Sequence, residues 1–252
     1  MDEAAGDSPL GIDQASFNAP ARLMAVSDRY RSRFALRAAI QAIPYIGGPL
    51  DTIFAGLGGS WQEQRLQHII NDLTRRLDAV ERAGSTLQPS EELFDLVVQV
   101  FDQVVRARSI EKRLCFSNIV MRKLLTQTPW KDAETATRLM SQLVEDHVRV
   151  LVACANAPIG EETFDGLRVI RLGLPAEPVG LSSMPPQLEA VIPQLPEHTL
   201  RLLCSELVGT GLLHDEGIGR WGSGALEIFS TTETTDWFLG WVTYQEDTIE
   251  NA

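Results

Sequence analysis

The amino-acid sequence predicts a mainly α protein, an N-terminal helical bundle followed by a small α+β domain of winged-helix-like layout. Three observations predict it. From Ala21 to about Leu125 apolar residues recur every three and four positions, a spacing that gathers them on one face of a helix. Residues 158–185 are interrupted by Gly160, Gly166, Gly173, Pro175, Pro178, Gly180 and Pro185, too many breakers for a helix. Beyond them the pattern becomes helix, helix, glycine-turn hairpin, helix. Folding itself follows from composition: of 252 residues 44% are apolar and 22% charged, well away from the polar, highly charged chains that stay disordered.

The start, MDEAAGDSPLGIDQAS, lacks the basic opening and apolar core of a secretory signal and reads, within residues 1–20, as a flexible acidic leader. The bundle is expected over 21–157. After Ser60, Leu66, Ile69, Ile70, Leu73, Leu77 and Val80 form one stripe, with Glu63, Arg65, Asp72, Arg75 and Arg76 opposite. Ser90 offers an N-cap with Glu91 and Glu92 in the first turn, where the helix dipole favours acids. The helix to Arg106 then carries a broad apolar face, Leu93, Leu96, Val97, Val100, Phe101, Val104 and Val105, and should lie centrally.

Ser109 caps a further helix with Leu114, Phe116, Ile119, Val120, Leu124 and Leu125 inward, and Thr128-Pro129 ends it. Asp132 is expected to start the next helix, with Leu139, Met140, Leu143 and Val144 on one side. Asp146 restarts or continues it through Val148, Leu151 and Val152. In the 158–185 connector, Thr163 to Leu172 reads as one or two short strands or an ordered loop.

Over 186–252, Gln187–Ile192 and Pro196–Val208 read as short helices, with Gly209 or Gly211 stopping the second. Leu212–His214 and Ala225–Phe229 read as strands around a glycine turn, and Thr231 or Thr232 caps a closing helix containing Trp237, Phe238 and Trp241. With the helix near Val148 as first element, this is the order of a winged helix. The order alone does not imply DNA binding.

Chemistry is hard to find. Gly217-Ile218-Gly219-Arg220-Trp221-Gly222 has the GxGxxG spacing of dinucleotide loops, but that motif works by opening a helix onto the pyrophosphate, whereas a strand is expected here. A wing turn is the favoured reading. His68, His147, His198 and His214 fit no metal-ligand spacing and read as surface or half-buried residues. No GxSxG elbow or GxxxxGK[ST] loop occurs. Cys115, Cys154 and Cys204 stand apart in helical, apolar contexts, which suits buried thiols in a reducing, cytoplasmic compartment. No catalytic residue, metal site, cofactor or small-molecule ligand is assigned.

Charge weighs against nucleic acid. The net charge is −12, and residues 186–252 hold eleven acids against two bases, Arg201 and Arg220, a balance of −9. Such a surface repels a duplex at long range. Arg201, Arg220 and Trp221 are the side chains placed to touch a protein partner or DNA.

One segment stands out. Ala38–Gly59, AAIQAIPYIGGPLDTIFAGLGG, has Asp51 as its single formal charge and approaches the roughly 20 apolar residues of a membrane span. Pro44, Gly47, Gly48 and Pro49 interrupt it, and in hydrocarbon each break would free backbone polar groups. Two core-facing helices joined at Pro44–Pro49 are favoured. The alternative is conditional insertion into an anionic membrane, led by Arg29, Arg31, Arg33 and Arg37. Ile43, Tyr45, Ile46, Leu50, Ile53 and Phe54 would then meet the membrane or a partner.

This IPYIGGPLDTIFAGLGG core, the LQHIINDLTRRLDAVE helix after it and RARSIEKRLCFSNIVMRKLL at Arg106–Leu125 resemble uncharacterised bacterial helical proteins that carry an IPxxGG apolar hairpin and a winged-helix-like end. The resemblance implies bacterial origin and a stress, phage-defence or signalling context, and brings no catalytic residues. Those proteins usually end in a more basic region than this one. The resulting expectation is a non-enzymatic protein-interaction or regulatory module that binds a protein partner or a second copy. Two other readings stand beside it: a membrane-active effector using 38–59, and a winged-helix DNA-binding regulator.

Overall fold

A computed structural model describes residues 59–82, 90–126, 128–159, 166–173, 185–218 and 224–243. The leader 1–20, the apolar hairpin up to residue 58 with Ile43, Tyr45, Ile46, Leu50, Ile53 and Phe54, and the turn residues Arg220 and Trp221 lie outside the described residues. The protein is mainly helical, with one small antiparallel sheet among the described residues. It divides into two compact units, Met1–Phe94 and Asp95–Ala252. The division expected at 157/158 falls inside the second.

In the first unit, α1 (Gly59–Arg82) buries the anticipated stripe of Leu66, Ile69, Ile70, Leu73, Leu77 and Val80. Its outer face differs in one respect: Arg76 reaches Asp72 at 3.6 Å, and the two side chains are only 10% and 9% exposed. A stripe of alkyl side chains does not reveal that an ion pair four residues apart is also covered. Helix α2 (Glu91–Arg106) spans the boundary. Ser90 Oγ accepts from the Leu93 N–H at 3.2 Å, acids occupy the first turn, and all seven predicted apolar positions are buried.

The second unit continues with α3 (Ile110–Leu125), α4 (Trp130–Gln142) and α5 (Glu145–Ala155). Ser109 caps α3 through the Lys112 N–H. Phe116, Ile119 and Val120 of α3 are buried as expected, but Leu114, Leu124 and Leu125 are half-buried, while Arg113, Cys115, Ser117 and Met121 are buried as well. The Arg113 guanidinium can be covered because its Nη1 donates to the Ala107 and Arg108 carbonyls. Helix α4 starts at Trp130 rather than Asp132. Pro129 occupies its cap, so the residue that forbids continuation of α3 also pre-sets the entry to α4. Lys112 Nζ donates to the carbonyls of Ser141 and Leu143 at the far end of α4, where the helix dipole favours a cation. Val144, expected on the buried side, is 44% exposed because it is the cap of α5.

Then come β1 (Val169–Arg171), α6 (Leu188–Val191), α7 (Glu197–Gly209), β2 (Leu213–Asp215), β3 (Ile228–Thr231) and α8 (Glu233–Val242). The sheet order is β1-β3-β2, antiparallel throughout, with Ile170 opposite Phe229 and His214 opposite Ser230. The last strand begins three residues later than expected. Leu226 cannot join the ladder, because its N–H is captured by the Asp215 carboxylate and its φ is 59°.

Helix α7 ends in a Schellman motif: the Leu212 N–H donates to Leu207 O and the Gly211 N–H to Val208 O, with Leu207 and Leu212 buried together. Gly211 has φ +75° and open space around it, so Gly211→Ala meets no clash and carries only the left-handed backbone penalty. A loss of about 1–2 kcal/mol in urea unfolding is expected. The closing helix α8, capped by Thr232 through the Thr235 N–H, packs on α3, α4, α5 and β3 with Phe238, Trp241 and Val242 buried. Among the described residues no helix is long and apolar enough to cross a membrane.

Candidate functional site

Among the described residues no three His, Cys, Asp or Glu side chains cluster to hold a metal ion. The cysteines are buried on helix faces. Burial raises the Cys115 thiol to about 11 and the Cys204 thiol to about 12, and pushes Cys154 up as well, so none is poised as a thiolate nucleophile. Of the GxGxxG stretch only Gly217 and Ile218, in a turn after β2, are among the described residues, and Gly224–Glu227 beyond it lead into β3. On β2 and β3, Ser230 Oγ donates to Glu216 Oε1 at 2.8 Å, and His214 Nδ1 lies 3.2 Å from the same oxygen. The carboxylate sits between hydroxyl and imidazole, whereas a serine nucleophile needs the imidazole beside it.

The histidines are not all the surface or half-buried residues expected from the sequence. His68, His198 and His214 are exposed, but His147 is only 3% exposed. The Val144 N–H donates to its Nδ1 at 3.1 Å, so the ring proton resides on Nε2, 2.7 Å from Glu206 Oε2. His147 thereby caps α5 and ties it to α7. Burial is tolerated because both ring nitrogens have partners.

What remains as a candidate is the outer face of α7. Leu200, Leu203, Cys204 and Leu207 face inward, where α7 packs on α5, α6 and β2. Three- and four-residue spacing therefore turns Glu197, His198, Leu202, Ser205 and Glu206 outward, all exposed. Leu202 is 59% exposed. Glu197, His198, Arg201, Leu202, Ser205 and Leu226 line a shallow open groove of about 540 Å³.

Arg201, predicted as a contact to DNA or a partner, is half-buried and engaged within the protein. Its Nη1 donates to Leu226 O at 3.0 Å and its Nη2 to Glu197 Oε1 at 2.8 Å. The groove was not legible beforehand. Leu226 belonged to an expected strand, and only the run Arg201-Leu202-Leu203, with one leucine too many for the buried stripe, hinted at an apolar residue facing out. Asp215 was likewise missed: a 7%-exposed carboxylate that accepts from the Gly217 N–H at 2.9 Å and the Leu226 N–H at 2.8 Å, closing the base of the turn between β2 and β3.

No protein-family model, no curated protein and no solved structure matches this chain.

Proposed function

We propose that the chain is a non-enzymatic protein-interaction module whose 145–243 portion is winged-helix-like and docks a protein partner on the outer face of α7. The order α5, β1, α6, α7, β2, β3 and the sheet order β1-β3-β2 support the winged-helix reading, with the β2–β3 turn as the wing. In that arrangement α7 stands where a DNA-reading protein has its recognition helix.

The observation that carries a protein partner over a duplex is the engagement of Arg201. A helix that enters a major groove reads guanine edges and phosphates with free basic side chains. Arg201 is the single Lys or Arg of α7, and it is held by the Leu226 carbonyl and Glu197. The face left over offers the Glu206 carboxylate, a hydroxyl, an imidazole and a leucine, beside a Glu197 already paired with Arg201. Apolar side chains rimmed by polar ones suit a protein interface.

Affinity purification from cells, run in parallel with wild type and Leu202→Asp, tests this reading. A protein recovered in stoichiometric amount with wild type and lost with Leu202→Asp is the expected outcome, together with no saturable duplex binding at low salt. Duplex binding that weakens steeply as salt rises would overturn it.

A further inference from the structure

Leu226 has a φ of 59°, and among the described residues it is the one non-glycine with a positive φ. An L-residue with a branched alkyl side chain avoids this region, because Cβ crowds the following carbonyl oxygen. Two charged side chains from different elements hold it there. The Asp215 carboxylate of β2 takes the Leu226 N–H at 2.8 Å, and the Arg201 guanidinium of α7 takes its C=O at 3.0 Å. Glycine or asparagine would fit this backbone with less strain. Strain retained against such alternatives needs a gain elsewhere, and the side chain so placed lines the groove together with the exposed Leu202.

Resting on the docking reading above, we propose that this groove binds a basic segment of a partner protein that inserts an apolar anchor between Leu202 and Leu226. The two leucines set the anchor's chemistry. The charge of the flanks follows from the rim. Glu197 and Glu206 have side chains 54% and 51% exposed, and the one cation of α7 already donates to Glu197 and to a backbone carbonyl. His147 donates to Glu206 Oε2 through its Nε2 proton, with Nδ1 occupied by a backbone N–H. The described residues between 186 and 243 hold eight acids against Arg201 as their one base, a balance that attracts lysine and arginine and repels both a second copy of this acidic chain and nucleic acid.

The test is fluorescence anisotropy of the full chain with short synthetic helical peptides. One carries leucines amid lysines, a second the same leucines amid glutamates, and a third the lysines with serine in place of leucine. The lysine–leucine peptide is expected to bind at least about tenfold more tightly than either control. Leu202→Asp and Leu226→Gly should each weaken it by about tenfold, while Leu226→Gly leaves the melting temperature unchanged or higher, as relief of strain requires. Asp236→Asn, an exposed change on α8 outside the groove, should leave affinity unaltered.

Binding that ignores Leu202→Asp and Leu226→Gly, or that falls equally with Asp236→Asn, overturns the inference, as does failure of the lysine–leucine peptide to bind. Preference for the glutamate–leucine peptide, or Leu202-dependent dimerisation, sinks the basic-partner assignment but leaves α7 a docking face. Saturable duplex binding with no peptide bound would remove both.

Discussion

Trp241→Ala is expected to destabilise the protein by about 3–5 kcal/mol, read as a lower urea midpoint followed by circular dichroism. Trp241 is 1% exposed on the helix that packs against α3, α4 and α5, so truncation opens a cavity that those helices cannot close without moving one another. The ring also carries specific contacts. The Arg122 guanidinium of α3 lies 4.9 Å from its centroid, and Trp237 meets it edge-on at 6.4 Å and 64°. Its indole N–H is buried without a hydrogen-bond partner. Trp241→Phe should therefore cost less than half as much as alanine, since it keeps an aromatic face for Arg122 and removes an unsatisfied donor. Equal losses for the two variants would show that neither the ring face nor the idle N–H matters.

Asp215→Ala is expected to cost about 2–4 kcal/mol, because two backbone donors held by one carboxylate lose their partner together. Gly217 is buried and its N–H cannot easily recover a water, whereas Leu226 is more open. The turn base leaves little slack: a Cβ added at Gly217 would stand 2.2 Å from the Gly224 carbonyl oxygen. Asp215→Asn keeps one acceptor and should fall between wild type and alanine. Hydrogen exchange gives the second readout, with the Gly217 and Leu226 amides losing protection before those of α3. If protection at these two amides survives Asp215→Ala, the carboxylate is not what holds the turn.

The helical part of the protein was largely written in its periodicity, for reasons visible at α1 and α2. Their buried residues are alkyl and aromatic side chains at regular spacing, and capping by Ser90 and Ser109 depends only on nearby residues. Where local pattern and structure part, long-range pairing overrules a local preference. Ala225-Leu226-Glu227 has the alternation of a strand, yet Asp215, eleven residues before Leu226, takes the N–H a strand would use. Arg113 and His147 look like surface residues until the Ala107 and Arg108 carbonyls take the Arg113 Nη1 and the Val144 N–H and Glu206 carboxylate take the two His147 nitrogens. The candidate groove was hidden for the same reason. Arg201 reads as a free cation in sequence, and only its bonds to Leu226 and Glu197 change what kind of partner α7 can greet.

The seat of α8 bears on how the protein is made. Asn118 donates to the Val242 carbonyl across 124 positions of chain, and α8 covers apolar flanks of α3, α4 and α5. On the ribosome those three helices emerge long before the one that shields them. Throughout that interval the nascent chain displays sticky surface and cannot complete its tertiary structure. Messages cut short before the codon for Trp241 would release a polypeptide with that surface permanently bare, destined for chaperones or proteases rather than for any partner.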